Sequence, residues 1–513
     1  MRNAMTAAPG PTERAYPLTV PWLLLGSLVA MAITVTADDV LPGYATFVLM
    51  ATIGLTWRRD EPPVFPFIMG YQWLSITVGY WFEKVAGYYP GSYRPGDVEH
   101  TMLVALTGLL LLAGGIRLVY HGLTTWFGRR RDGRPQARPP TWEIGNLNVL
   151  FVVVVATYGL DYLWQVNTSG FAGFNVALQR VLDMRQVLLV TLWMEILRRR
   201  THYSLLWLSL GWAFVSRLGG YYSDFKSPLL LLLIVYAATF KPWESRWWPK
   251  SLLAFAKLSP ALAVLLVLLL IWQGGLKGDT RERIDAGAVA SPTERMGQFV
   301  EGVTRELPHL RDDPRPYVEA LVSRLWYLTF FSLVLDHVPD REPHADGELL
   351  NLAVANSTMP RYLFPDKPVL ESDSAYTRRF AGVQVAEGST SISIGYMAEF
   401  YADWGFRGMW LSVIGYGCWI GLAAALLRRL NRMPVLHAGL LVVAMLAVAD
   451  FEHQVVKGFA ALNASVGFML VLIFVLRPWL VRLLDVRERG TEPAFDAALD
   501  GAGSRTSPSA LGG

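Results

Sequence analysis

The sequence predicts an all-α, polytopic membrane protein with about twelve transmembrane helices and one large extracytoplasmic loop. Three observations carry this expectation. The chain has 513 residues, of which 53% are hydrophobic and only 17% charged, where a soluble domain carries about 25% charged residues. Mean hydropathy is +0.31. The apolar residues gather in runs of about 18 to 24, the length a helix needs to cross a hydrocarbon core of about 30 Å. Trp and Tyr mark the ends of those runs, at Trp57, Trp81, Trp126, Trp247, Trp248 and Trp272 among others, where interfacial belts place them.

The runs lie at 18–36, 40–57, 64–82, 101–120, 145–164, 181–197, 203–217, 227–240, 251–272, 408–427, 433–450 and 460–477. Connections after the even-numbered runs carry the basic residues: Arg58 and Arg59, Arg129 to Arg131, Arg198 to Arg200, Lys241 to Lys250, and Arg428 to Arg432. The positive-inside rule then places both termini in the cytoplasm and the long polar insertion outside, on the periplasmic or cell-surface face. The expected organisation is a cytoplasmic segment 1–16, helices 1–9 over 17–272, the loop 273–407, helices 10–12 over 408–480, and a cytoplasmic tail 481–513, rich in Gly, Ala, Ser and Asp from about Arg487 and expected to be disordered. The first run reads as a first span. The basic, Pro-rich segment 129–140 fits a topology signal facing anionic membrane lipids.

Several chemistries are excluded by what the chain lacks. One cysteine, Cys418, permits neither an internal disulfide nor a thiolate metal site. There is no P-loop, GxGxxG, HExxH or DxD motif, so no metal, no cofactor and no nucleic-acid partner is expected.

Within the insertion, Pro316–Val338 has apolar residues at helical spacing and predicts an amphipathic helix at the outer leaflet. Thr293–Leu307 predicts a weaker helix, and 339–395 reads as loop. The insertion is net acidic, so cations on the outer side are informative: Arg185, Arg217, Lys226, Arg324, Arg361 and Lys367. Ionisable groups at a membrane edge are costly and point to function; internal ion pairs with Asp183, Asp224 or Asp336 are the competing explanation. A lipid diphosphate is one ligand that requires such cations, because Arg forks and Lys ammonium groups bind phosphate oxygens. In glycosyl transfer from that carrier the leaving group gains charge, and positioned cations lower the barrier. The acceptor hydroxyl then needs a base, for which Glu399, Asp403, His337 and the group Asp450, Glu452 and His453 are placed at outer ends.

The segments PRYLFPDKP, GSTSIS and MAEFYADWGFRGMW, with the turn SRLGGYYSDFKSPLLLLL, resemble the O-antigen polymerase family, related in plan to O-antigen ligases. The resemblance is strongest over residues 200–430. It implies a metal-independent glycosyltransferase that joins undecaprenyl-diphosphate-linked glycans, donor and acceptor both lipid-linked, for O-antigen, capsule or exopolysaccharide synthesis. A chain-length-regulating membrane protein is an implied partner. Arg217, Lys226, Arg361, Lys367 and Glu399 are the positions that match, with Arg324 and the candidate base His337 beside them. Two other classes remain open. A transporter or flippase of anionic glycans needs ionisable groups at mid-depth and broken helices. A non-catalytic assembly protein would use the insertion to hold a partner.

Overall fold

The computed structural model describes residues 20–489 apart from 59–60, 92–95, 130–140, 167–182, 218–225, 241–247, 286–291, 360–363, 365–370, 385–391 and 431–433. Each of the twelve apolar stretches contains a helix among its described residues. The first four are α1 (Val20–Ala37), α2 (Val40–Thr56), α3 (Val64–Ala86) and α4 (Val98–Arg129). Between α1 and α2 the turn is fixed by Asp39, whose carboxylate accepts the Leu41 N–H at 2.9 Å and the Tyr80 hydroxyl at 2.7 Å. Those two bonds, the Tyr80 one foremost, hold the Asp39 carboxyl below its ordinary range.

A central group follows: α5 (Leu147–Val166), α6 (Met184–Arg199), α7 (Tyr203–Arg217) and α8 (Lys226–Phe240). Next, α9 (Trp248–Ile271) passes through a π-helical turn, Trp272–Leu276, directly into α10 (Lys277–Asp285). Gly274 and Gly275 form that turn because Tyr317 and Glu306 press on it; a Cβ on either would collide with them. The Tyr317 hydroxyl donates to Glu306 at 2.7 Å, locking the two.

The insertion is folded and packed against the other helices. It holds α11 (Pro292–Asp312), α12 (Arg315–Leu325), α13 (Leu328–His337), α14 (Glu348–Thr358) and α15 (Asp373–Ala381). The apolar stretch expected as one helix is two, α12 and α13, bent by 54°. The bend is held from outside: the Tyr327 N–H donates to the Ser75 carbonyl of α3 at 3.2 Å, and Trp326 fits against Gly79, where a Cβ would meet its ring. The stretch read as loop contains α14 and α15, whose N-terminal caps come partly from distant residues.

The last helices are α16 (Tyr396–Leu430), α17 (His437–Leu446) and α18 (Val455–Val471), which runs through a second π turn into α19 (Arg477–Leu483). α16 breaks at Gly405, with φ 62° and ψ −169°, a conformation open only to glycine. Beyond it α16 packs along α4, and Gly417 and Gly421 let the backbones approach so closely that a Cβ would strike Leu112 and Ile116 carbonyls. α17 has ten residues, a rise of about 15 Å, so the eleventh stretch does not form one helix of spanning length. Its chain breaks over 447–454 before α18 begins. A short antiparallel ribbon joins β1 (Thr141–Ile144) to β2 (Val486–Arg489) at the opposite end of the bundle.

Among the described residues four helices are long and apolar enough to cross a membrane, or five if the bent α12–α13 pair counts as one; five further apolar helices are shorter.

Candidate functional site

The motif AEFYADW at the start of α16 is a structural clamp. Glu399 and Asp403 lie one turn apart, on one face. Asp403 accepts the Leu349 and Leu350 N–H groups at 3.0 and 2.8 Å, at the start of α14. Glu399 accepts the Val455 N–H at 2.8 Å, the first residue of α18. The first N–H groups of a helix have no partner within it and carry partial positive charge, so a carboxylate satisfies both needs. Both carboxylates are buried. The sequence marks Glu399 as a candidate base; the structure gives its carboxylate the work of a cap. Tyr396 continues the clamp, donating to Gln72 at 2.9 Å, while Gln72 donates to the Val448 carbonyl at 3.3 Å.

Two helix breaks therefore meet beside this clamp: Trp326–Tyr327 between α12 and α13, and 447–454 between α17 and α18. They are joined by a fork. Arg324, in the last turn of α12, donates through both terminal nitrogens to both oxygens of Glu452, one bond measuring 2.7 Å. Burial alone would raise the Glu452 carboxyl, but the Arg324 bonds, with His453 and Lys226 nearby, hold it below the usual range. His453 Nε2 lies 3.2 Å from Asp450 Oδ2. Tyr71 of α3 is close enough to feel the charges of Asp450, Glu452 and Arg324.

More cations join from α8 and α10. Lys226 is the first residue of α8, and Lys277 opens α10 just past the π turn. Lys277 sits within electrostatic reach of Arg324, Arg281, Lys226 and Glu452, and its ammonium donates to Gln273 at 3.3 Å. Lys277 thus lies within reach of Lys226, Arg281, Arg324 and Glu452, and Glu452 within reach of Arg324 and Lys226; these groups together carry net positive charge. Such a cluster can bind an anion with several oxygens.

The sequence-marked cations divide. Lys226 and Arg324 belong to this cluster. Arg185 does not: it is fully buried, its Nη1 is 3.0 Å from Asp161 Oδ1, and its guanidinium lies over the Tyr158 ring at 5.5 Å. Arg217 approaches the other oxygen of Asp161 at 3.9 Å. Both approach Asp161, and Arg185 has no surface to offer a ligand. Asp224 lies outside the described residues. His337 ends α13 with its imidazole against the left-handed Gly382. Arg361 and Lys367 lie outside the described residues. Lys277, Arg281 and Tyr71 were not singled out by sequence. A signal existed for two of them: Lys277 and Arg281 are spaced i, i+4 directly after an apolar run, on one helix face.

Comparison with known families gives one result. The chain belongs to a family described as a domain of unknown function, DUF8712, whose family model matches residues 140–430. The match begins at the β1 strand and ends with α16. No curated protein and no solved structure matches the chain.

Proposed function

We propose that this chain is a twelve-span inner-membrane glycosyltransferase that joins undecaprenyl-diphosphate-linked oligosaccharides on the outer face, with the insertion and both helix breaks facing that side. The observation that carries the reading is the convergence of Lys226, Lys277, Arg281 and Arg324 from three separated parts of the chain. A diphosphate fits them: the lysines act as point charges and the guanidinium groups as planar forks. As the anomeric carbon–oxygen bond breaks, negative charge grows on the leaving diphosphate, and fixed cations stabilise it more than the ground state. The helix breaks suit this use, since irregular backbone at membrane depth is tolerated where it is buried in protein or lines a cavity.

The test is extension of an undecaprenyl-diphosphate-linked oligosaccharide by the purified protein in proteoliposomes, read as a ladder of glycan lengths. Removing one charged donor at a developing anion costs roughly a hundred- to a thousandfold in rate, so Lys277→Ala and Lys226→Ala each collapse the ladder. Ladders of wild-type length in the double variant would exclude the diphosphate assignment.

A second reading has its own observation. Discontinuous helices holding ionisable groups are the arrangement of transporter binding sites, and α12–α13 and α17–α18 are both discontinuous. Uptake of the labelled lipid-linked glycan into sealed vesicles without chain extension supports transport in place of transfer.

A further inference from the structure

The break between α17 and α18 carries Asp450, Glu452, His453 and Gln454 almost in succession, and each has a different employment. Glu452 is held by Arg324. The backbone N–H after Gln454, that of Val455, is satisfied by Glu399. A turn in which the His453 N–H donates to the Asp450 carbonyl at 3.4 Å brings their side chains together, with Asp450 Oδ2 3.2 Å from His453 Nε2. A carboxylate there favours the proton on Nε2 and leaves the lone pair on Nδ1. That Nδ1 is buried and makes no hydrogen bond among the described residues. Gln454 is 3% exposed, and its Nε2 likewise makes none. A buried lone pair and a buried N–H donor on adjacent residues are the complement of a hydroxyl, which donates once and accepts once.

We propose that His453 is the base that takes the proton of the acceptor sugar's hydroxyl, with Gln454 holding the hydroxyl oxygen and Asp450 as the positioning residue. This rests on the transferase reading. The hydroxyl proton passes to His453 Nδ1. The oxygen's electron pair forms the bond to the anomeric carbon of the donor. The bond from that carbon to the diphosphate oxygen breaks, and its electron pair leaves on the diphosphate, beside Lys226 and Lys277. The imidazolium is held by Asp450 until its proton passes to the released lipid diphosphate or to water. The other sequence candidates are engaged elsewhere: Glu399 and Asp403 cap helices, and His337 packs on Gly382.

The experiment uses the full chain in proteoliposomes and measures glycan extension alongside binding of farnesyl diphosphate as a short lipid diphosphate. General base catalysis contributes on the order of 10² to 10⁴ in rate, so His453→Asn loses that factor while binding farnesyl diphosphate within twofold of wild type. Asp450→Asn removes a negative neighbour of the imidazole. It therefore lowers kcat for extension without changing the KM for the acceptor glycan or the binding of farnesyl diphosphate, a split that a purely structural role would not produce. Gln454→Leu raises the KM for the acceptor glycan without changing farnesyl diphosphate binding, and serves if His453→Asn elutes as an aggregate. His453→Asn extending glycan within threefold of wild type overturns the base assignment; if Lys277→Ala is inactive in the same assay, the transferase reading survives it. Loss of farnesyl diphosphate binding in folded His453→Asn also overturns the assignment. A wild-type protein that extends no lipid-linked glycan overturns both.

Discussion

The fork between Arg324 and Glu452 joins two helix breaks that are 128 residues apart in the chain, and its contribution can be bounded from exposure. A fully exposed ion pair is worth about 0.2–1 kcal/mol, and breaking a fully buried one costs about 3–5 kcal/mol. Here the Arg324 side chain is 41% exposed and that of Glu452 24%, which discounts the buried figure for solvent screening. Two charge-assisted bonds in that setting give a coupling of about 1–2 kcal/mol. The measurement is a double-mutant cycle with Arg324→Ala, Glu452→Gln and the pair, followed by thermal unfolding in detergent at fixed ionic strength. Independent sites add within about 0.3–0.5 kcal/mol, so coupling inside that scatter refutes the fork as a bridge between the breaks. The pH dependence has a definite sign. Glu452 is depressed in the folded protein, so its contribution is fully present above the ordinary carboxylate value of about 4.3 and is lost as pH falls through the lower folded value. Glu452→Gln removes that part of the acid sensitivity.

Three further outcomes follow from the geometry. Glu399→Gln keeps an oxygen for the Val455 N–H and leaves thermal stability near wild type, whereas Glu399→Ala strands that buried donor and costs about 1–3 kcal/mol; equal loss in both variants would show that charge, not capping, is what matters. Asp161→Asn destabilises more than Arg217→Ala, because it leaves the buried Arg185 charge uncompensated at a cost of about 3–5 kcal/mol, and the two melting temperatures decide it. Gly417→Ala forces a Cβ onto the Leu112 carbonyl, whereas Gly415, on the same helix, has nothing within 4 Å of its Cβ position; Gly415→Ala therefore holds or raises stability by up to about 1 kcal/mol, and only Gly417→Ala lowers the yield of folded protein.

The helices were legible because long apolar runs leave the chain few alternatives, and each of the twelve runs holds a helix among its described residues. The breaks were not. Nothing in HAGLLVVAMLAVADFEH announces a helix ending at Leu446; it ends where Gln72 takes the Val448 carbonyl and Glu399 starts a new helix at Val455. Both partners are remote in sequence, and local propensity carries no record of them. The same limit governed the charges. Arg185 was visible as a cation in the wrong place, but its partner Asp161 lies inside the preceding apolar run, where periodicity reads it as part of a span. Lys277 and Arg281 were hidden in a net acidic insertion. The π turn, set by Tyr317 and Glu306 against two glycines, carries the chain from α9 into the helix on which they sit.

The backbone and side-chain groups freed around the breaks account for the polar residues that gather there. A helix interrupted within an apolar bundle frees N–H and carbonyl groups that need partners. Most are supplied here by side chains or distant backbone: Ser75 for the Tyr327 N–H, Glu399 for Val455, and Tyr327 for Ser393, whose N–H donates to the phenol oxygen at 2.9 Å. Among the described residues, the buried polar atoms left without partners at the two breaks are Trp326 Nε1, His453 Nδ1 and Gln454 Nε2. Uncompensated groups of this kind are costly and persist where a bound molecule completes them. They stand beside cations that a diphosphate would neutralise and beside a fork that bridges the breaks. A break built only for packing would close its hydrogen bonds; among the described residues the α17–α18 break leaves open one lone pair and one donor, a pair that a hydroxyl of the proposed acceptor would fill.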